Sequence, residues 1–197
     1  MISLHYNEQT FTMGCLLSRE KPPIDSRKND TMEIELKDTV NGMSKAEFTE
    51  DQKQLVKSTW EVVREDISKV GVITFLRLFE KFPDVQDLFV PLRGLSSEEL
   101  RHNVGLREHG LRVMGTIEKC ITRLDKPEKL TSMLEALGEK HIMFDTKVEY
   151  FDLLAPQFIH AIKPAIGDQW TPAVEQAWNN FLEYITDIMK NAMLQAT

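Results

Sequence analysis

Cysteine is scarce in this chain: 197 residues carry only Cys15 and Cys120. Two thiols make no disulfide framework, and their scarcity suits a reducing, intracellular setting. Long apolar runs are missing as well, and none approaches the roughly 18–20 residues that a membrane span needs. The opening MISLHYNEQTFTMGCLL lacks the charged front and long apolar stretch of a secretory signal. Positive charge is not in excess. Lys and Arg number 24 against 31 Asp and Glu, a net charge of −7, so nucleic acid is not expected as a partner. There is no Gly-rich phosphate loop, no HExxH and no serine in a nucleophile elbow. No hairpin dipeptide sits between alternating apolar runs, so β architecture is excluded too. Carboxylates are scattered over helix faces, where solvated ion pairs are their ordinary role.

What is present divides near residue 46. Residues 1–46 include RKNDTMEIELKDTVNGMSK, which is polar, mixed in charge and poor in apolar periodicity. Such a segment buries too little surface to offset its ordering entropy, so a disordered tail is expected. A short helix around Glu33–Asp38 would be unstable alone. Residues 47–197 read as one all-α domain of about seven to eight helices, large enough for a single core.

The helices announce themselves through caps and stripes. Thr49-Glu50-Asp51-Gln52 is a capping box, followed by Val56, Trp60, Val63 and Ile67 at helical spacing. A second helix, about Lys69 to Lys81, carries Val72, Phe75, Leu76 and Phe79, and Pro83 marks a corner before Leu88-Phe89. Ser96-Ser97-Glu98-Glu99 is a second capping box. A long helix runs from about Asn103 to Leu124, and Pro127 opens the next, which reaches Phe144. A further helix spans about Val148 to Ile166, where Pro156 is expected to bend or break it. Thr171-Pro172 caps the last, striped by Val174, Trp178, Phe181, Ile185, Ile188 and Ala192.

Five histidines supply the candidate chemistry. His109 lies within the long helix, with Val113 four residues on and on the same face. Gly110 beside it would let a bulky flat group approach closely. His141 lies late in the following helix, on the side of Leu137. The Leu137 carbonyl, four residues back, is the natural acceptor for one ring nitrogen of His141 and would leave Nε2 free for a metal. His102, seven residues before His109, competes with it on geometry alone. His160 reads as structural, and Cys120 as a small, partly buried residue.

Together Phe75, Pro83, Phe89, His109, Val113 and the run Leu137-Gly138-Glu139-Lys140-His141 resemble the haem-pocket signature of vertebrate globins. The likeness covers residues 48–194, and the spacing from His109 to His141 is similar to that of neuroglobins. It implies a globin fold and haem b as cofactor. His141 would be the proximal iron ligand, and His109 the distal ligand and catalytic residue. Phe89 would stack on the haem, with Phe75, Val113 and Leu137 as further pocket contacts and Arg112 reaching a propionate.

In the tail, Met13-Gly14-Cys15-Leu16-Leu17-Ser18 fits the N-myristoylation pattern, and Cys15 is a palmitoylation candidate. Two acyl chains anchor stably where one does not. Acylation of Gly14 requires translation to begin at Met13. A tail with Met-Gly-Cys followed by a neuroglobin-like core resembles the globin group called globin X.

The resemblance implies reversible binding of O2, CO and NO at a six-coordinate iron. It also implies redox chemistry at the cytoplasmic face of a membrane: nitrite reduction to NO, NO dioxygenation or electron transfer, with a reductase as partner. Oxygen storage, signalling through a protein partner and a cofactor-free helical module are the alternatives.

Overall fold

The computed structural model describes residues 48–196. The expected tail, its Glu33–Asp38 helix and the Met13–Ser18 motif lie outside the described residues. Within them are eight α-helices and no strand.

Helix α1 (Glu50–Val63) begins at the expected capping box: Thr49 Oγ1 accepts from the Gln52 N–H at 3.3 Å, and Gln52 Oε1 accepts from the Thr49 N–H at 3.2 Å. A 3-10 turn, Arg64–Asp66, separates it from α2 (Ile67–Lys81). Ile67 therefore opens the second helix instead of closing the first stripe. Pro83 starts the short α3 (Pro83–Gln86), where its missing N–H costs nothing. The second capping box, Ser96 with Glu99, starts α4 (Ser97–Arg101). Asn103 then caps α5 (Val104–Ile121) through its side chain, 3.1 Å from the Leu106 N–H. Helices α6 (Pro127–Ile142), α7 (Glu149–Ile166) and α8 (Pro172–Gln195) complete the domain.

Of the bend or break expected at Pro156, the break does not occur: α7 is continuous through both Pro156 and Pro164. Proline removes one backbone donor from an interior turn. Here Phe151 before it and Phe158, Ala161 and Ile162 after it are buried, so packing holds both halves in one helix.

Two apolar clusters form the core. The larger joins α1, α5, α6, α7 and α8 around Trp178, which is fully buried. Its indole Nε1 donates to Thr59 Oγ1 of α1 at 3.0 Å, satisfying a polar atom that would otherwise be stranded. Cys120 belongs to this cluster and is fully buried, not partly so. Burial pushes its thiol up to about 12, which keeps it protonated. The smaller cluster contains Phe75, Leu78, Phe79, Val85, Leu92, Leu100 and Leu106. Val113 packs against both clusters, at the seam where the site lies.

Candidate haem site

His109 projects from α5 between two aromatic rings. Its centroid lies 4.8 Å from Phe75 and 5.0 Å from Phe89, and both contacts are edge-on at 77° and 80°. Phe79, four residues after Phe75 on α2, buttresses this arrangement at 5.1 Å from Phe89 and 5.9 Å from Phe75. Edge-to-face packing fixes ring orientation as well as burying area. Burial drives the His109 pKa down to about 4, aided by the charges of Arg112 and His141. The ring is therefore neutral at physiological pH and carries an available lone pair. Among the described residues neither of its nitrogens has a hydrogen-bond partner.

His141 stands near the end of α6, with Nδ1 2.7 Å from the Leu137 carbonyl oxygen. A carbonyl only accepts, so Nδ1 must carry the proton. The hydrogen bond expected from the sequence is present, and it leaves Nε2 as the ring nitrogen outside this contact. Phe151 of α7 packs against this imidazole at 5.2 Å and 62°. The influence of His141 on His109 places the two rings in one electrostatic neighbourhood. Val113 and Leu137 are half-buried along the seam, and Arg112 is exposed three residues beyond His109.

Three sequence readings need correction. His102 does not compete with His109 on geometry. It ends α4, ahead of the Asn103 cap that starts α5, and its side chain is 74 % exposed and pairs with Glu98 at 3.2 Å. Gly110 does not open space for a flat group, because an added Cβ would lie 3.0 Å from the Gly71 carbonyl carbon. Its bare backbone is instead the contact between α5 and α2. His160 is exposed, and packs in no core.

Phe79 and Phe151 join the site although neither stood out as a pocket residue in the sequence. Phe79 carried a signal in its four-residue spacing from Phe75. Phe151 carried none, because its partner sits on another helix.

The donor set suits an iron porphyrin. His109 and His141 are the residues that would hold the iron of a bound porphyrin, through their ring nitrogens. The described residues contain no group of three His, Cys, Asp or Glu that could hold a bare metal ion. The aromatic and aliphatic residues along the seam suit the apolar faces of the macrocycle.

An all-α fold that sets two imidazoles beside aromatic rings suits a haem protein. The chain belongs to the globin family, whose model, described as Globin, matches residues 73–189. Haem b is the cofactor this membership implies. The chain is 31 % identical over 138 residues to Cytoglobin-2 of Danio rerio, covering 68 % of this chain and 76 % of that protein. It is 30 % identical over 149 residues to an anaerobic nitrite reductase of Gossypium hirsutum, covering 74 % of this chain and 91 % of that one. The crystal structure of a hexacoordinated heme protein from an anhydrobiotic tardigrade superposes with a TM-score of 0.71 at 19 % identity, covering 74 % of this chain and 95 % of that one. The fold is thus shared where little sequence remains. No helix among the described residues is long and apolar enough to cross a membrane.

Proposed function

We propose that this globin is six-coordinate, with His141 as proximal and His109 as distal axial ligand, and that it acts in redox chemistry on small nitrogen and oxygen ligands. The observation that carries the reading is the pairing of a proton-bearing Nδ1 on His141 with a neutral, unpartnered imidazole at His109. Haem b, when bound, supplies reversible ligation of O2, CO, NO and nitrite and one-electron transfer.

The protein's own part follows from the geometry. The Leu137 carbonyl holds the His141 ring in one tautomer. Phe75 and Phe89 hold His109 by contact alone, so the ring can turn aside without breaking a hydrogen bond. Any external ligand binds only to the fraction of molecules in which it has done so, and apparent affinity falls by that fraction. Once turned, the imidazole N–H is a donor toward the pocket. His109 therefore gates entry and orients what enters. Arg112, whose charge acts on His109, would be the partner of a haem carboxylate.

The redox assignment, nitrite reduction to NO, NO dioxygenation or electron transfer, draws on the two-imidazole site and the name of the cotton relative. It requires a reductase or other electron donor. We further propose that Gly14 and Cys15 carry acyl chains when translation starts at Met13, setting the protein at a membrane face. The intact mass of the mature protein tests this directly.

The site itself is tested by absorption spectra of the haem-loaded chain. Low-spin spectra in both oxidation states are expected, and His109→Leu should give a five-coordinate, high-spin ferrous form. A high-spin ferrous spectrum of the parent chain, or an unchanged spectrum of His109→Leu, overturns the reading. Nitrite consumption by the reduced protein, absent without haem, tests the redox assignment.

A further inference from the structure

We propose that Gly138 is a positioning residue for the proximal imidazole, acting through the backbone contact of α6 with α8; this rests on the reading of His141 as a ligand. Gly138 is buried one turn before His141. A Cβ built there would meet the Met189 carbonyl oxygen at less than 3.0 Å, the Met189 Cα at 3.0 Å and its carbonyl carbon at 3.1 Å. These are backbone atoms in the middle of α8, so no side-chain rotation relieves them. The contact exists only because residue 138 has no Cβ.

The geometry ties this contact to the ligand twice. The carbonyl that orients His141 belongs to the peptide joining Leu137 to Gly138, so a displacement of that peptide moves the acceptor of the 2.7 Å hydrogen bond. The helix turn that Gly138 seats against α8 is also the turn that carries the His141 Cα. Ordinary contact begins at 3.4 Å, so an alanine at 138 must move α6 against α8 by more than 0.4 Å. A displacement of that size shifts the Leu137 carbonyl and the His141 backbone, so the imidazole must re-aim or weaken its hydrogen bond to that carbonyl.

Gly115 supplies the control. It lies in α5, and an added Cβ there meets nothing within 4 Å. It is a helical glycine without a seat to protect.

The test uses the full chain loaded with haem in the His109→Leu background, where the proximal bond alone holds the iron axially. G138A is expected to shift and broaden the iron–imidazole stretching band and to speed haem loss by about tenfold or more, as changes behind a metal ligand do. G115A is expected to leave both at their parent values. A second background separates positioning from folding. In H141G with imidazole added, the axial ligand is no longer tethered to α6, so G138A should change neither spectrum nor haem retention. The proposal is overturned if G138A matches its parent in the first background. It is equally overturned if G138A damages both backgrounds alike, loss of the fold included. An H141G chain whose spectrum without imidazole equals its parent's would remove the ligand assignment, and this proposal with it.

Discussion

His109 is held neutral by its surroundings, and acid should reveal the cost. Its pKa falls from the ordinary 6.5 to about 4, chiefly because burial disfavours the charged ring. In the unfolded chain the ring takes up a proton as pH drops through about 6.5; in the folded chain it resists until about 4. Between those values the unfolded state binds more protons, so stability must fall as pH falls across that window. The fully developed difference is at most about 3–4 kcal/mol, at about 1.36 kcal/mol per pH unit between 6.5 and about 4. His109 is only half-buried, and solvent screening reduces this to about 1–2 kcal/mol. Urea unfolding of the haem-free chain near pH 7.5 and near pH 4.5, for the parent and His109→Leu, measures it. The other four histidines are common to both proteins and cancel. The parent should lose about 1–2 kcal/mol more than the variant on acidification, an extra fall of about 0.5–1 M in the urea midpoint. Equal losses in the two proteins would refute the buried, neutral imidazole, and with it the lone pair on which ligation depends.

Other outcomes follow from named contacts. His109→Leu should raise the rate of CO binding to the ferrous protein by about tenfold or more, because the closed fraction disappears; stopped-flow mixing reads this. Thr59→Val removes the acceptor of the Trp178 indole inside the core and should cost about 1–3 kcal/mol in chemical unfolding. Its effect should shrink in a Trp178→Phe background, where no donor is left stranded. Cys120, buried with its thiol pushed up to about 12, should stay unalkylated by iodoacetamide in the native protein and react once urea is added, as peptide mass mapping would show. Gly115→Ala should stabilise the chain by about 0.5–1 kcal/mol, since it adds helix propensity without a clash.

The features legible in the sequence are those written within one or two helical turns. Both capping boxes, the Asn103 and Thr171 helix starts and the hydrogen bond from His141 to Leu137 all join residues three or four positions apart, and Pro127 opens its helix through its own ring. Spacing alone determines whether such partners can meet. The errors lie where a partner sits on another helix. Pro156 breaks a helix in isolation but not between buried Phe151 and Phe158. Cys120 reads as partly buried until the larger cluster assembles around it. Phe151 reaches His141 only through the packing of α7 near the end of α6.

Glycine shows the limit most sharply. Gly110, Gly115 and Gly138 all lie in helices, and propensity alone predicts that alanine improves each by a similar amount. The structure separates them by what a methyl would touch: open space at Gly115, the Gly71 backbone at 3.0 Å at Gly110, and the Met189 backbone from three atoms at Gly138. Replacing each in turn should therefore give a gain at Gly115, a loss at Gly110 that α2 and α5 partly absorb by sliding, and a larger loss at Gly138. A local preference thus becomes an opposite outcome through contacts that no short window of sequence contains. If all three alanines stabilised the chain alike, the close approach of α5 to α2 and of α6 to α8 would be wrong, and with it the placement of both imidazoles.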